Sequence, residues 1–233
     1  MIISFVNQKG GVGKTTTSIN LAAGLIRRDY NLLYVDADPQ GSASQWHSVE
    51  NNQAFEILHY PEPLHRADIE ALSQDYEHVI IDAPPANHDL TSALATFSDL
   101  LIVPITPSPL DLWAYSEMQV DIEDLRMRNP ELKVHLMINR KIPGTRLGRE
   151  ARQAMDVFNA DILKTELCQR VAYIESLISG VSVIQYEPKG KAALEIDAFC
   201  DEVLSLMVEK KPEAAEVNFH ENSIESAFAQ MVR

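Results

Sequence analysis

The sequence predicts a doubly wound α/β fold, a mostly parallel sheet with helices on both faces. Three observations carry this expectation. Short β-branched or aliphatic runs recur along the chain, at IISFV (2–6), LLYVD (32–36), HVIID (78–82), LLIVPI (100–105) and VHLMIN (134–139). Longer stretches with helical spacing of apolar residues separate them, so strands alternate with helices. The strand runs are apolar throughout, which suits a sheet covered on both sides, with ligands at the C-terminal ends of its strands.

Taken in order, the helical spacing covers Thr15 to Arg28, Asp89 to Ser98 and Asp111 to Arg128, then Leu147 to Phe158, Arg170 to Ile178 and Ala192 to Val208. After about residue 209 the stretch EKKPEAAEVNFHENS breaks the periodicity, before a last amphipathic run from Ile224 to Val232. The expected organisation is one domain over 1–208 and a tail over 209–233 that forms a short docking helix. With 233 residues, 45% of them hydrophobic, the chain can bury one good-sized core. Cys168 and Cys200 make neither a disulfide framework nor a metal-ligand pair, and no run approaches the roughly 18 apolar residues of a membrane span. A soluble, unprocessed, cytoplasmic protein is expected.

The chemistry concentrates near the N-terminus. Lys9, Gly10, Gly11, Val12, Gly13, Lys14, Thr15 and Thr16 (KGGVGKTT) sit between the first strand and the first helix. That setting aims backbone NH groups and a helix dipole at phosphate oxygens. The glycines let the backbone approach closely, Lys14 reaches the β and γ phosphates, and the Thr15 hydroxyl is a Mg²⁺ ligand. The common pattern would begin with glycine at residue 8, which is Gln, and an extra lysine, Lys9, follows. Asp36, Asp38 and Asp82 stand at or just past strand ends, where carboxylates can serve a metal.

This spelling resembles the deviant Walker A motif of the ParA/MinD family of ATPases. The resemblance runs from the first residues to about 208. VDADPQGSASQW (35–46) is similar to the family's A-prime motif and VIIDAPP (79–85) to its Walker B and switch segment. VPITPSPLDLWA (103–114) is similar to the segment after the next strand in small plasmid-partition members of the ParF type. SGVSVIQYEPKGKAALE (179–195) resembles the closing nucleotide loop and helix. The resemblance implies ATP and Mg²⁺ as ligands and slow, partner-stimulated hydrolysis. Lys14 and Lys9 serve the phosphates, Lys9 from across a homodimer that forms with ATP. Asp38 orients the attacking water, Asp36 supports the metal shell, and Asp82 acts on the metal through water. Asn139 reads the adenine edge, and the Tyr186 to Lys189 loop, Pro188 included, closes over the base.

The net charge of −14 excludes a surface that attracts nucleic acid everywhere. Between residues 140 and 152, however, Arg140, Lys141, Arg146, Arg149 and Arg152 face one acid, Glu150, a local balance of +4. Arg146, Arg149 and Arg152, spaced by three on a predicted helix, are the DNA-binding candidates. The resemblance then implies nonspecific, nucleoid-associated DNA binding and a ParB-like centromere-binding or cargo-adaptor partner. The alternatives are a MinD-like membrane-cycling ATPase, disfavoured by a tail poor in basic residues, and a dethiobiotin-synthetase-like ligase.

Overall fold

The computed structural model describes residues 1–49, 55–155 and 160–208. Its centre is a seven-stranded, wholly parallel sheet. The strands are β1 (Ile2–Phe5), β2 (Leu32–Asp36), β3 (Glu56–His59), β4 (His78–Asp82), β5 (Leu100–Ile105), β6 (Lys133–Ile138) and β7 (Asp161–Ile162), in the order β3-β2-β4-β1-β5-β6-β7. The chain winds outward from β1 in both directions, and β1 carries the phosphate loop at its C-terminal end.

The five apolar runs are the five inner strands, displaced by no more than one residue at their ends. The two short edge strands escape the sequence pattern. β3 exposes Glu56 and His59, and β7 has only two residues, so neither shows a buried apolar run. Alternate residues of each inner strand face opposite layers. Val79 and Ile81 pack with α3 (Arg66–Leu72), α4 (His88–Phe97), α5 (Pro109–Arg128) and α6 (Arg146–Met155). Ile80, with Ile3, Phe5 and Tyr34, packs on the other side. There it meets α1 (Lys14–Ile26), α2 (Ser42–His47), α7 (Val171–Ile178), α8 (Val183–Tyr186) and α9 (Lys191–Val208).

Helix α1 lies close against α9. A β-carbon on Gly24 would collide with the Cys200 sulfur, and Arg28 bonds Asp201 at 2.6 Å. Buried Cys200 has its pKa pushed up to about 12 by burial, which keeps it a thiol and a packing residue. The Ile224 to Val232 run, the rest of 209–233 and the end of the helix expected to reach Phe158 lie outside the described residues.

Candidate functional site

The phosphate loop begins where β1 stops. Gly13 precedes α1 in the left-handed region, φ 96°, and a β-carbon there would collide with the Asn139 amide, so glycine is required twice over. The loop is fastened from below. Asn7 donates from Nδ2 to the Pro104 carbonyl at 2.7 Å and accepts from the Lys9 amide at 2.8 Å. Asn139, the first residue past β6, donates to the Val12 carbonyl at 2.7 Å. Arg140, with a φ of 54°, donates to the Gly11 carbonyl at 2.8 Å. Strain of this kind in a non-glycine residue collects at ligand sites.

Lys14 opens α1 and is 6% exposed. Its ammonium donates to the Asn7 and Lys9 carbonyls, both at 3.2 Å. Burial lowers its pKa, and the nearby Asp82 and Asp38 carboxylates partly offset this. Lys9 is half-buried, and its ammonium pairs with Asp111 at 2.5 Å.

Two carboxylates stand side by side at the strand ends, because Asp36 of β2 is in register with Asp82 of β4. Asp36 accepts the Ser44 amide and hydroxyl at 2.8 Å through Oδ2, an acid capping the first turn of α2. Its Oδ1 and both oxygens of Asp82 are buried without a hydrogen bond of standard geometry. Burial raises the Asp82 pKa to about 7. Asp36 and Asp38 push the same way, and the neighbouring Thr15 hydroxyl and Lys14 oppose them. Half-buried Asp38 accepts the Gln40 amide at 2.9 Å and lies near enough to influence both Lys14 and Asp82.

These orphaned oxygens, beside Thr15, suit a small hard divalent cation. Among the described residues no group of three or more His, Cys, Asp or Glu could hold a metal by itself. Mg²⁺ keeps waters and draws ligands from substrate phosphates as well as one or two carboxylates, so Asp82 and Thr15 are what this chain would offer it.

Beside the loop lies a cleft of about 230 Å³. It is lined by the phosphate loop and the start of α1 (Gly13, Thr16), by the segment after β6 (Asn139, Arg140) and by α7 (Tyr173, Leu177). Its size and partly apolar lining suit a nucleobase and sugar. Asn139 reaches this cleft, while its amide also ties the phosphate loop to β6. Pro188 is not among the lining residues. The α7 wall, Asn7 and the Arg140 anchor were missed in the sequence. Helical spacing gives α7 as a helix without saying what it faces, and a lone Asn carries no signal.

In the basic segment the three candidate arginines differ. Arg146 pairs with Glu150 at 2.8 Å and Arg149 bonds the Gly144 carbonyl at 3.0 Å, and both are exposed. Arg152 turns inward to Glu166 at 3.2 Å and to the carbonyls of Leu163 and Lys164 at 2.6 and 3.2 Å. A spacing of three falls short of a helical turn by about 60° each time, so the third arginine has rotated about 120° from the first.

An anion seat and a cation seat meeting at one strand edge place the chain among the P-loop nucleoside triphosphatases. A family model described as an AAA domain matches residues 1–61. The chain is 32% identical over 207 residues to maintenance of carboxysome distribution protein A of Halothiobacillus neapolitanus, covering 87% of this chain and 95% of that protein. It is 27% identical over 239 residues to the sporulation initiation inhibitor protein Soj of Bacillus subtilis, covering 82% and 93%. The septum site-determining protein MinD complexed with Mg-ADP from Pyrococcus horikoshii matches with a TM-score of 0.70 at 20% identity, covering 89% of this chain and 97% of that one. The chain belongs to the ParA/MinD family of positioning ATPases.

Proposed function

We propose that this ATPase is an ATP-dependent dimerisation switch. In its ATP state it binds DNA nonspecifically and positions a plasmid, chromosome or other cargo with a ParB-like or adaptor partner. Residues 1–208 make up the ATPase unit, and 209–233 are a segment outside it that serves a partner. The observation that carries the reading is the pair of lysines. Lys14 bonds the floor of its own phosphate loop, while the Lys9 ammonium is directed away from that floor to the buried Asp111 carboxylate. In this reading one lysine serves the chain's own nucleotide and the other serves a second copy's. The names of the relatives, which speak of carboxysome distribution and of sporulation initiation, agree in kind with a positioning role.

In this reading Gly10 to Thr16 hold the α, β and γ phosphates through backbone NH groups at the start of α1. Lys14 shifts from the Asn7 and Lys9 carbonyls to the β and γ oxygens. Thr15 and, through water, Asp82 would hold Mg²⁺, with Asp36 supporting them. When bound, the ion would supply positive charge to the transferring phosphates. Asp38 orients the in-line water, and Lys9 of the second copy adds positive charge to the transferring group. The adenosine lies in the cleft between α1 and α7, with Asn139 at its base and Pro188 in the loop beyond. Hydrolysis removes the γ-phosphate that both lysines recognise, so dimer lifetime follows nucleotide state. Arg146 and Arg149 supply the DNA contacts, and Arg152, bonded inward, steadies the helix that carries them.

The test is one preparation examined by sedimentation, DNA retention and liposome flotation, with ADP and with a nonhydrolysable ATP analogue, each with Mg²⁺. The reading expects a dimer that retains DNA only with the ATP analogue. A monomer in both nucleotides overturns the switch. Retention by liposomes in place of DNA reassigns the output to a membrane.

A further inference from the structure

The segment VPITPSPLDLWA carries one buried acid. Its aspartate, Asp111, lies in the first turn of the twenty-residue α5 and is 6% exposed. It accepts the Thr106 hydroxyl and pairs with the Lys9 ammonium at 2.5 Å. The geometry points to Asp111 as a positioning residue that holds Lys9 within its own chain and competes with the second copy's nucleotide for it. This inference rests on the reading of Lys9 as a lysine that serves a second copy.

Asp111 and the second copy's phosphates compete for one ammonium. An ammonium cannot remain at 2.5 Å from a buried carboxylate and also reach phosphates in another chain. Every crossing of Lys9 therefore breaks this pair. The break is tolerable because Asp111 keeps two other sources of stabilisation, the Thr106 hydroxyl and the positive end of α5. A fully orphaned buried carboxylate would make release prohibitive.

The second lysine connects the pair to nucleotide. The Lys9 carbonyl accepts a bond from Lys14, and its amide donates to Asn7. Phosphate oxygens compete with that carbonyl for the Lys14 ammonium. Filling the loop therefore loosens the backbone at residue 9, on the same residue whose side chain Asp111 holds. Asp111 sets the threshold at which ATP releases Lys9.

The experiment uses the full chain as wild type, Asp111→Asn, Thr106→Val and Lys9→Ala, with melting curves to verify folding. A brief amine-acetylation pulse without nucleotide, read at Lys9 by peptide mass spectrometry, reports the pair directly. Lys141, which pairs with Glu166, is the internal control. Sedimentation across a titration of nonhydrolysable ATP analogue with Mg²⁺ reports dimerisation. In Asp111→Asn, Lys9 labelling rises, Lys141 labelling does not, and half-dimerisation needs about three- to tenfold less analogue. Thr106→Val moves both readouts the same way by less.

Unchanged Lys9 labelling in Asp111→Asn overturns the proposal. So does a rise in labelling with dimerisation unchanged or weakened, because Asp111 would then not be a competitor. If Lys9→Ala fails to dimerise while Asp111→Asn shifts nothing, this inference alone fails. If Lys9→Ala dimerises normally, the underlying reading of Lys9 fails and the competition goes with it.

Discussion

The phosphate loop and the segment from Arg140 to Arg152 are both rich in cations, and the fold treats them differently. In the loop, the two lysine nitrogens bond main-chain carbonyls and one acid, Asp111, that an incoming phosphate can replace. In the basic segment, Lys141 and Arg152 share Glu166, and Arg152 also holds two carbonyls of the chain leading away from β7. Those charges are committed to structure. A local balance of +4 therefore overstates what Arg140 to Arg152 offers a ligand, and Arg146 and Arg149 carry most of what is left at the surface.

The strongest way to break this contrast is at the loop. Lys14→Ala should reduce ATP hydrolysis on the order of 10³-fold or more, measured as phosphate release. A loss of less than tenfold would remove Lys14 from the phosphates. Asp82→Asn should lower hydrolysis by about 100-fold while raising the melting temperature of the nucleotide-free chain by about 2–4 °C. The stabilisation follows because an amide has no charge to desolvate at that site. A lower melting temperature would show that the carboxylate is balanced within the chain.

In the basic segment the arginines should separate. Replacing Arg146 and Arg149 by Glu should abolish DNA retention with hydrolysis kept, whereas a milder Ala pair should flatten the salt dependence by about two units of slope. Arg152→Ala should cost about 1–2 kcal/mol in denaturant unfolding and leave DNA retention close to wild type. If Arg152→Ala loses DNA without losing stability, the inward bonds do not describe its main role.

The smallest effect lies at the opposite end of the sheet. His78, buried against Tyr30 with neither ring nitrogen hydrogen-bonded, has its pKa lowered below 6.5 by burial and then by the chain's amino terminus, against Glu77 and Asp99. A lowered pKa means the unfolded chain takes up the proton first. Its stabilising effect is thus complete above pH 6.5 and is lost as pH falls below it. Relative to His78→Phe, wild type should lose up to about 1 kcal/mol between pH 7.5 and 5.5. Parallel melting profiles for the two proteins would sink this account.

Much of the site was legible as sequence because its parts are local. Glycine conformations, a strand-to-helix turn and a lysine at its end occupy eight consecutive residues, and Asp36 and Asp82 close apolar runs that could only be buried strands. The basic segment was legible as charge alone. Whether an arginine faces solvent depends on a rotation of some 60° per step and on Glu166, which comes fourteen residues after Arg152. Edge strands β3 and β7 were illegible because a short strand with an exposed face has no apolar run to show.

The sequence by itself determined the architecture and the phosphate chemistry, since apolar runs must be buried and a glycine loop before a helix must present its amides. The tertiary structure decided everything that depends on residues far apart in the chain. It placed Asp36 beside Asp82, set the α7 wall across from α1, drew Arg152 inward, and brought Asp111 to Lys9 across about one hundred residues. The physical reason is that spacing fixes which way a side chain leaves its own element, whereas its partner is fixed by which element the sheet order sets beside it.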